Sequence, residues 1–337
     1  VTSPESPPPS PTPPRPVWRK LAPAAQLLAV VAGLAGLYGV VRVAIPVLRV
    51  ARPVIHWGTL ALASAVWLAS YAQLVELWAS SLPWWDGAVR GTPARLSFLQ
   101  ALRVFFVSNL ARYVPGAVWQ FAGLAALTAA AGASPVAASV GVLMQQLVLL
   151  ATGFALVLSG APHVLGAWTQ ELDTLSQAAL AVILTAALIV VGPHALPAAR
   201  RLAERFIKRP VPLPTPPPGA FALYVIRSAL GWVAYGTAFW LFGISLYGSD
   251  APHFWLAATS YLTSYLLGLL AVFAPAGLVV REGAIVLALS PTIGAERALV
   301  LAVASRLWLV AVEICGALTV VAVDWVSRRL RASEERK

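Results

Sequence analysis

Residues 115–123 read Pro115-Gly116-Ala117-Val118-Trp119-Gln120-Phe121-Ala122-Gly123, and residues 275–283 read Pro275-Ala276-Gly277-Leu278-Val279-Val280-Arg281-Glu282-Gly283. Each is an apolar stretch that opens on a proline and carries glycine, and the two stand 160 residues apart. The same spacing, without a gap, pairs Leu127 with Leu287, Gln146 with Arg306 and Leu147 with Leu307. It also lays segment 98–112 over 255–272 and segment 135–158 over 297–326. Proline removes a backbone donor and breaks a helix. In lipid such a break is tolerated only where the freed backbone groups meet protein or a polar cavity. The N-terminus of a half-helix presents N–H donors and partial positive charge, which suits phosphate or carboxylate. Two such breaks related by an inverted repeat converge on one central site. The helix-break residues are read as Pro115, Gly116, Gly123, Pro275, Gly277 and Gly283.

The surrounding composition fits only a membrane. Of 337 residues 59% are hydrophobic and 11% charged, where a soluble domain carries about 25% charged residues. A soluble enzyme, a disordered chain and a nucleic-acid-binding module are excluded, and the long continuous apolar runs exclude a β-barrel. The expected fold class is all-α: a polytopic membrane protein with an inverted repeat. About eight full transmembrane helices are read at 21–43, 55–79, 98–112, 135–158, 175–192, 220–247, 255–272 and 297–326. Two short broken or re-entrant helices are read at 116–131 and 276–290. The domain reading is a disordered Pro-rich tail (1–20), membrane repeat 1 (21–192), a basic Pro-rich loop (193–219), membrane repeat 2 (220–327) and a basic tail (328–337). The run after Lys20 reads as a retained signal-anchor helix.

The formal net charge is +11, and the cations cluster beside the apolar segments. Cytoplasmic retention of Lys and Arg explains this. Arg15, Arg19 and Lys20, then Arg200, Arg201, Arg205, Lys208 and Arg209, then Arg328, Arg329, Arg331, Arg336 and Lys337, are placed inside, so both termini are cytoplasmic. Glu171, Asp173 and Asp250 mark external loops. This orientation requires ten passes, and the 44–54 loop, with Arg49 and Arg52, fits it least well. Trp18, Trp57, Trp78, Trp84, Trp85, Trp168, Trp255 and Trp325 read as interfacial belt residues.

Ionisable groups inside apolar spans cost ~2.5–3.5 kcal/mol each at the bilayer centre and need partners or a wet cavity. Arg103, Arg112, Arg227, Arg281, Arg306, Glu76, Glu282 and Glu313 are such groups. Arg103 and Arg227 read as structural. Arg306 and Glu313, seven apart on one helix, share a face and are candidates to pair. The headgroup-binding set is Arg112, Trp119, Gln120, Gln146, Arg281, Glu282, Arg306 and Glu313, a cationic, hydrogen-bonding lining for an anionic headgroup. One cysteine (Cys315) and four scattered histidines offer no metal site. No nucleotide-binding or hydrolase motif is present, so no cofactor and no enzymatic activity are expected.

At the two breaks the chain resembles the membrane domain of lysylphosphatidylglycerol synthase/flippase proteins, also described as flippase-like integral membrane proteins. The matching residues are Ser108-Asn109-Leu110-Ala111-Arg112-Tyr113-Val114-Pro115-Gly116 with Trp119-Gln120 and Gly132, then Pro275-Ala276-Gly277 with Arg281-Glu282-Gly283 and Ser305-Arg306-Leu307. The resemblance covers roughly residues 20–330 and implies movement of lipid between leaflets. It concerns the membrane part alone, so it implies no synthase activity. Other members with only this part are linked to envelope lipids, polyprenyl-linked sugars or hopanoids.

The functional expectation is a flippase or lipid transporter of the plasma membrane, acting on an anionic phospholipid or a lipid-linked cell-envelope precursor. The alternative is a non-transporting scaffold or accessory subunit of a cell-envelope glycosyltransferase or lipid-modifying complex. An intramembrane enzyme using Glu282 and Glu313 is the weakest reading. The partners read from the sequence are membrane lipid (anionic or polyprenyl-linked), an envelope-biosynthesis enzyme and a second copy of the chain, with no nucleic acid.

Overall fold

The computed structural model describes residues 38, 42, 45–49, 51, 53–91, 93–110, 119–165, 174–208, 216–271, 277 and 279–334. The tail and most of segment 21–43 lie outside these residues. Among the described residues there is no strand; residues 45–49 and 51 are helical, so the 44–54 stretch is not all loop, and from Trp57 on nine α-helices follow one another: α1 (Trp57–Arg90), α2 (Phe98–Leu110), α3 (Trp119–Ala130), α4 (Pro135–Leu165), α5 (Thr174–Ile207), α6 (Pro218–Tyr247), α7 (Phe254–Leu270), α8 (Val280–Ile293) and α9 (Ala295–Glu334). A 3₁₀ turn, Gly248–Asp250, closes α6.

Five of the helices are long and apolar enough to cross a bilayer: α1, α4, α5, α6 and α9. The other four are short. Within segment 98–112 the described residues Phe98–Leu110 are helical, and segment 255–272 corresponds to the 17-residue helix Phe254–Leu270; α2 precedes and α3 follows the first proline-led stretch, as α7 and α8 do the second. At 1.5 Å per residue α7, which ends at Leu270, is about 26 Å long, less than the ~30 Å hydrocarbon core. Gly123 and Gly283 do not break helices. They lie inside α3 and α8, which are helical from Trp119 and from Val280. The basic 193–219 stretch is not all loop either: α5 runs on to Ile207 through Pro193 and Pro197. Likewise α9 runs on to Glu334.

The element starts repeat along the chain. Trp57 and Pro218 are 161 residues apart, Phe98 and Phe254 156, Trp119 and Val280 161, and Pro135 and Ala295 160. The order is long, short, short, long in both copies, with α5 between them. The ends of these helices show how the copies are related. Asp86, fully buried near the end of α1, accepts Ala94 N–H at 2.8 Å and Ser134 N–H at 2.9 Å. The end of α1, the approach to α2 and the start of α4 therefore share one face, and the α2–α3 pair enters and leaves by that face. On the second copy Arg297 of α9 meets Asp250 at 3.2 Å, and Tyr247 donates to the Arg297 carbonyl at 2.8 Å. The end of α6 and the start of α9 share a face, so the α7–α8 pair opens there. His56 N–H donates to Ser245 O at 2.8 Å, which puts the start of α1 at the end of α6. So α1 and α6 run in opposite senses, and the two hairpins open on opposite faces. This is an inverted repeat.

The copies interlock. α1 packs most extensively on α6, α2 packs on α9, and α7 packs on α4. Lipid tails are as apolar as leucine, so helices here associate through close packing and polar contacts rather than through a hydrophobic drive. At the α1–α6 crossing Gln73 donates to Arg227 O at 2.8 Å and Arg227 pairs with Glu76. At α2–α9 Arg103 pairs with Asp324 at 3.0 Å. Both arginines are thus structural. Trp78 and Trp85 belong to the core rather than an interfacial belt: they are 0% and 4% exposed. Gly141 of α4 clears the space for both rings. Trp57 and Trp325, by contrast, are exposed, as a belt requires.

Candidate functional site: a cavity between the repeats

A cavity of about 80 Å³ lies at the meeting of the two copies, room for several waters. It is built by α1 (Trp67, Tyr71), α2 (Phe105, Asn109), α4 (Gln145, Gln146, Leu149), α6 (Trp232, Tyr235), α7 (Tyr261, Tyr265), α8 (Arg281) and α9 (Leu309, Glu313). Two pairs in this lining obey the repeat spacing, since Tyr265 stands 160 residues after Phe105 and Leu309 stands 160 after Leu149. The cavity therefore lies where repeat-equivalent residues of α2 and α7, and of α4 and α9, face each other.

The aromatic wall follows from helical spacing. Trp67 and Tyr71, and Tyr261 and Tyr265, are i,i+4 pairs, and Trp232 and Tyr235 are an i,i+3 pair, so each pair shares a face. Trp67 stacks on Tyr71 at 5.3 Å, and Trp232 meets Tyr265 edge-on at 5.1 Å. Trp232 is fixed by donating to Leu149 O at 2.9 Å.

Arg281, in the first turn of α8, sends its guanidinium over the Tyr265 ring at 4.8 Å and the Tyr261 ring at 5.8 Å. Two glycines clear its path. A Cβ at Gly268 would fall 2.3 Å from Arg281 Cγ, and one at Gly277 3.0 Å from both Cγ and Cδ. Gly277 also has φ +67°, a left-handed conformation that glycine adopts without a steric cost. Gly277 stands between the end of α7 and the start of α8. Val279, the residue before α8, has φ +71°, an outlier for a β-branched residue that stores about 1–3 kcal/mol of strain.

The next residue, Glu282, points elsewhere. Its Oε1 lies 3.7 Å from Arg306 Nε, and Arg306 is 5% exposed. The ion pair fastens α8 to α9 beside the cavity and does not line it. Glu313 does line the cavity and is 2% exposed. Glu282 is within ion-pair distance of Arg306 because the first turn of α8 lies beside Arg306. Gln145 donates to Leu74 O at 2.7 Å. Gln146 turns into the cavity, and its buried Oε1 has no hydrogen-bond partner among the described residues.

Of the residues singled out in the sequence, the structure brings Gln146, Arg281 and Glu313 to one cavity. Glu282 and Arg306 form the adjoining pair, and Gln120 on α3 is not in the lining. Arg112, Pro115, Gly116 and Pro275, and the Trp119 side chain, lie outside the described residues. Sequence reasoning missed the tyrosine and tryptophan wall and the Gly268 seat, and named Asn109 only within the family-like stretch. The available signal was the aromatic spacing: tyrosines in mid-helix, away from the interfaces they usually occupy, at three- and four-residue intervals. No group of residues able to hold a metal ion occurs among the described residues.

Interlocked inverted repeats around a central cavity define a multi-pass α-helical membrane protein. The chain belongs to the family described as the lysylphosphatidylglycerol synthase TM region, whose sequence model matches residues 24–315. No curated protein and no solved structure matches it. It is a membrane protein of a lipid-related family.

Proposed function

We propose that this protein moves an anionic phospholipid or lipid-linked envelope precursor between the leaflets of the plasma membrane. It does so without covalent chemistry, with its basic face toward the cytoplasm. The observation that supports this most directly is the setting of Arg281. Its guanidinium rests on two tyrosine rings, and among the described residues no carboxylate lies within ion-pair distance of it. A cation–π contact is worth ~0.5–2 kcal/mol, while hydrogen bonds to a charged group are worth ~1.5–3 kcal/mol each. A phosphate therefore competes well for Arg281 without having to break an ion pair.

The rest of the lining selects the headgroup. Glu313 disfavours a bare multiple anion. The buried Gln146 Oε1, with no hydrogen-bond partner among the described residues, accepts a hydrogen bond, so the suitable headgroup carries a hydroxyl or similar donor beside its phosphate. The cavity holds a headgroup and not acyl chains, which stay in the bilayer. In this reading the opposed hairpins let the cavity open toward either face, and rocking one copy against the other exposes it alternately.

Protein reconstituted in liposomes should move fluorescent phosphatidylglycerol across the bilayer faster than protein-free liposomes, read by quenching of the outer leaflet. Arg281→Ala should slow this about tenfold, the equivalent of ~1.4 kcal/mol, with folding retained. A parent protein no faster than protein-free liposomes would favour the scaffold reading, in which the chain co-purifies with an envelope enzyme.

A further inference from the structure

The helix α5 has 34 residues, a length of about 51 Å against a hydrocarbon core of ~30 Å. Its apolar span is Leu175–Ala195. It leaves the bundle near Gly192, where a Cβ would fall 2.6 Å from the Phe221 ring at the start of α6. None of the described side chains from Pro193 to Lys208 is buried. This extension therefore has no partner in the fold among the described residues.

Its residues are sorted by charge. Arg200, Arg201, Glu204 and Arg205 fall on one arc of about 140° at 100° per residue, and Lys208 follows at the helix end. The apolar positions 196, 199, 202, 203, 206 and 207 occupy the other side by register, and Leu202 is 56% exposed. Glu204 is matched to Arg200 at 3.7 Å, which leaves Arg201, Arg205 and Lys208 in excess. Pro193 and Pro197 stand inside the helix at its exit from the span, where proline permits a bend. The end of α9 emerges on the same face, with exposed Trp325 beneath Arg329 at 3.9 Å. An exposed tryptophan of this kind marks the lipid–water interface.

We infer that α5 beyond Gly192 is an interfacial amphipathic helix that binds the anionic surface of the leaflet on this face. Its apolar side enters the headgroup boundary and Arg201, Arg205 and Lys208 engage lipid phosphates. The inference stands whether the cavity transports lipid or not, since it uses none of the cavity residues. A soluble acidic protein is the competing occupant. The apolar side of the stretch argues for lipid, because a purely electrostatic partner leaves that side in water.

The test uses the full chain with Cys315→Ser and a spin label at Leu202→Cys, in nanodiscs of phosphatidylcholine alone or with phosphatidylglycerol. In anionic discs the label should be more accessible to oxygen than to a water-soluble nickel reagent. The ratio should reverse in phosphatidylcholine discs, in 1 M salt, where the Debye length is ~3 Å, and in R200Q/R201Q/R205Q/K208Q. The salt arm needs no variant, so it stands even if the quadruple variant misfolds. A water-accessible label in anionic discs at low salt would overturn the inference. So would a lipid-accessible label that is indifferent to lipid charge and salt.

Discussion

Arg297, in the first turn of α9, reaches Asp250 just past the end of α6 at 3.2 Å. Both groups are more than half exposed, so the contact adds little stability. Its information is geometric. It places the start of one long helix at the end of another and makes the α7–α8 hairpin open there. Asp86 does the same for the α2–α3 hairpin on the opposite face. The two hairpins therefore open on opposite faces.

The opposed faces give a direct expectation. In sealed vesicles, with Cys315→Ser as background, a membrane-impermeant maleimide should label Asp250→Cys and Lys208→Cys from opposite sides. Labelling of both from one side would contradict the inverted arrangement.

Gly268→Ala tests the seat of Arg281. The added Cβ would lie 2.3 Å from the Arg281 Cγ, so the arginine must leave the tyrosine rings. Overpacking costs ~1–3 kcal/mol, which should lower the melting temperature by a few degrees. Lipid movement should fall much further, at least to the level of Arg281→Ala. A variant that melts lower but moves lipid at the parental rate would detach Arg281 from the activity.

Arg281→Lys and Tyr265→Phe separate charge from stacking. Lysine keeps the charge but loses the planar group that stacks on aromatic faces and meets phosphate with two parallel bonds. Phenylalanine keeps the ring face. Arg281→Lys is expected to lose several-fold in lipid movement and Tyr265→Phe almost nothing, whereas Tyr265→Ala should resemble the arginine variant. Initial rates of lipid movement in liposomes with matched protein content would read this.

Asp86 should matter for folding rather than transport. Asp86→Ala removes the acceptor of two backbone donors and leaves Ala94 and Ser134 N–H without it, a loss of ~1.5–3 kcal/mol per charged hydrogen bond. Asp86→Asn keeps one acceptor oxygen and should fall between parent and alanine. Thermal unfolding in detergent should rank the three in that order. Equal melting temperatures would show that the hairpin is fixed by other contacts.

Much of the architecture is legible in the sequence because lipid leaves few choices. Apolar runs that must satisfy their own backbone groups can only be helices, and a 160-residue spacing between two proline-led stretches marks a duplication. Arg103 and Arg227 are legible as structural because their positions carry no break. The site is only partly legible. Arg281, Gln146 and Glu313 stand out as polar groups in apolar surroundings. The tyrosines around them do not, since an aromatic residue in a membrane helix looks the same in sequence whether it faces lipid or a chamber. Trp78 and Trp85 went to the core for the same reason: Gly141 on a distant helix makes room for them.

By itself the sequence determined the solvent, the helical class, the duplication and the clustering of cations, all properties of composition and local period. Tertiary structure decided which charges meet. Glu282 and Arg281 are neighbours in the chain, yet one turns to Arg306 of α9 and the other onto the rings of α7. Successive side chains on a helix point about 100° apart, so the neighbour each one finds depends on how α7, α8 and α9 pack. Gly268 and Gly277 leave the room that lets Arg281 lie between α7 and α8.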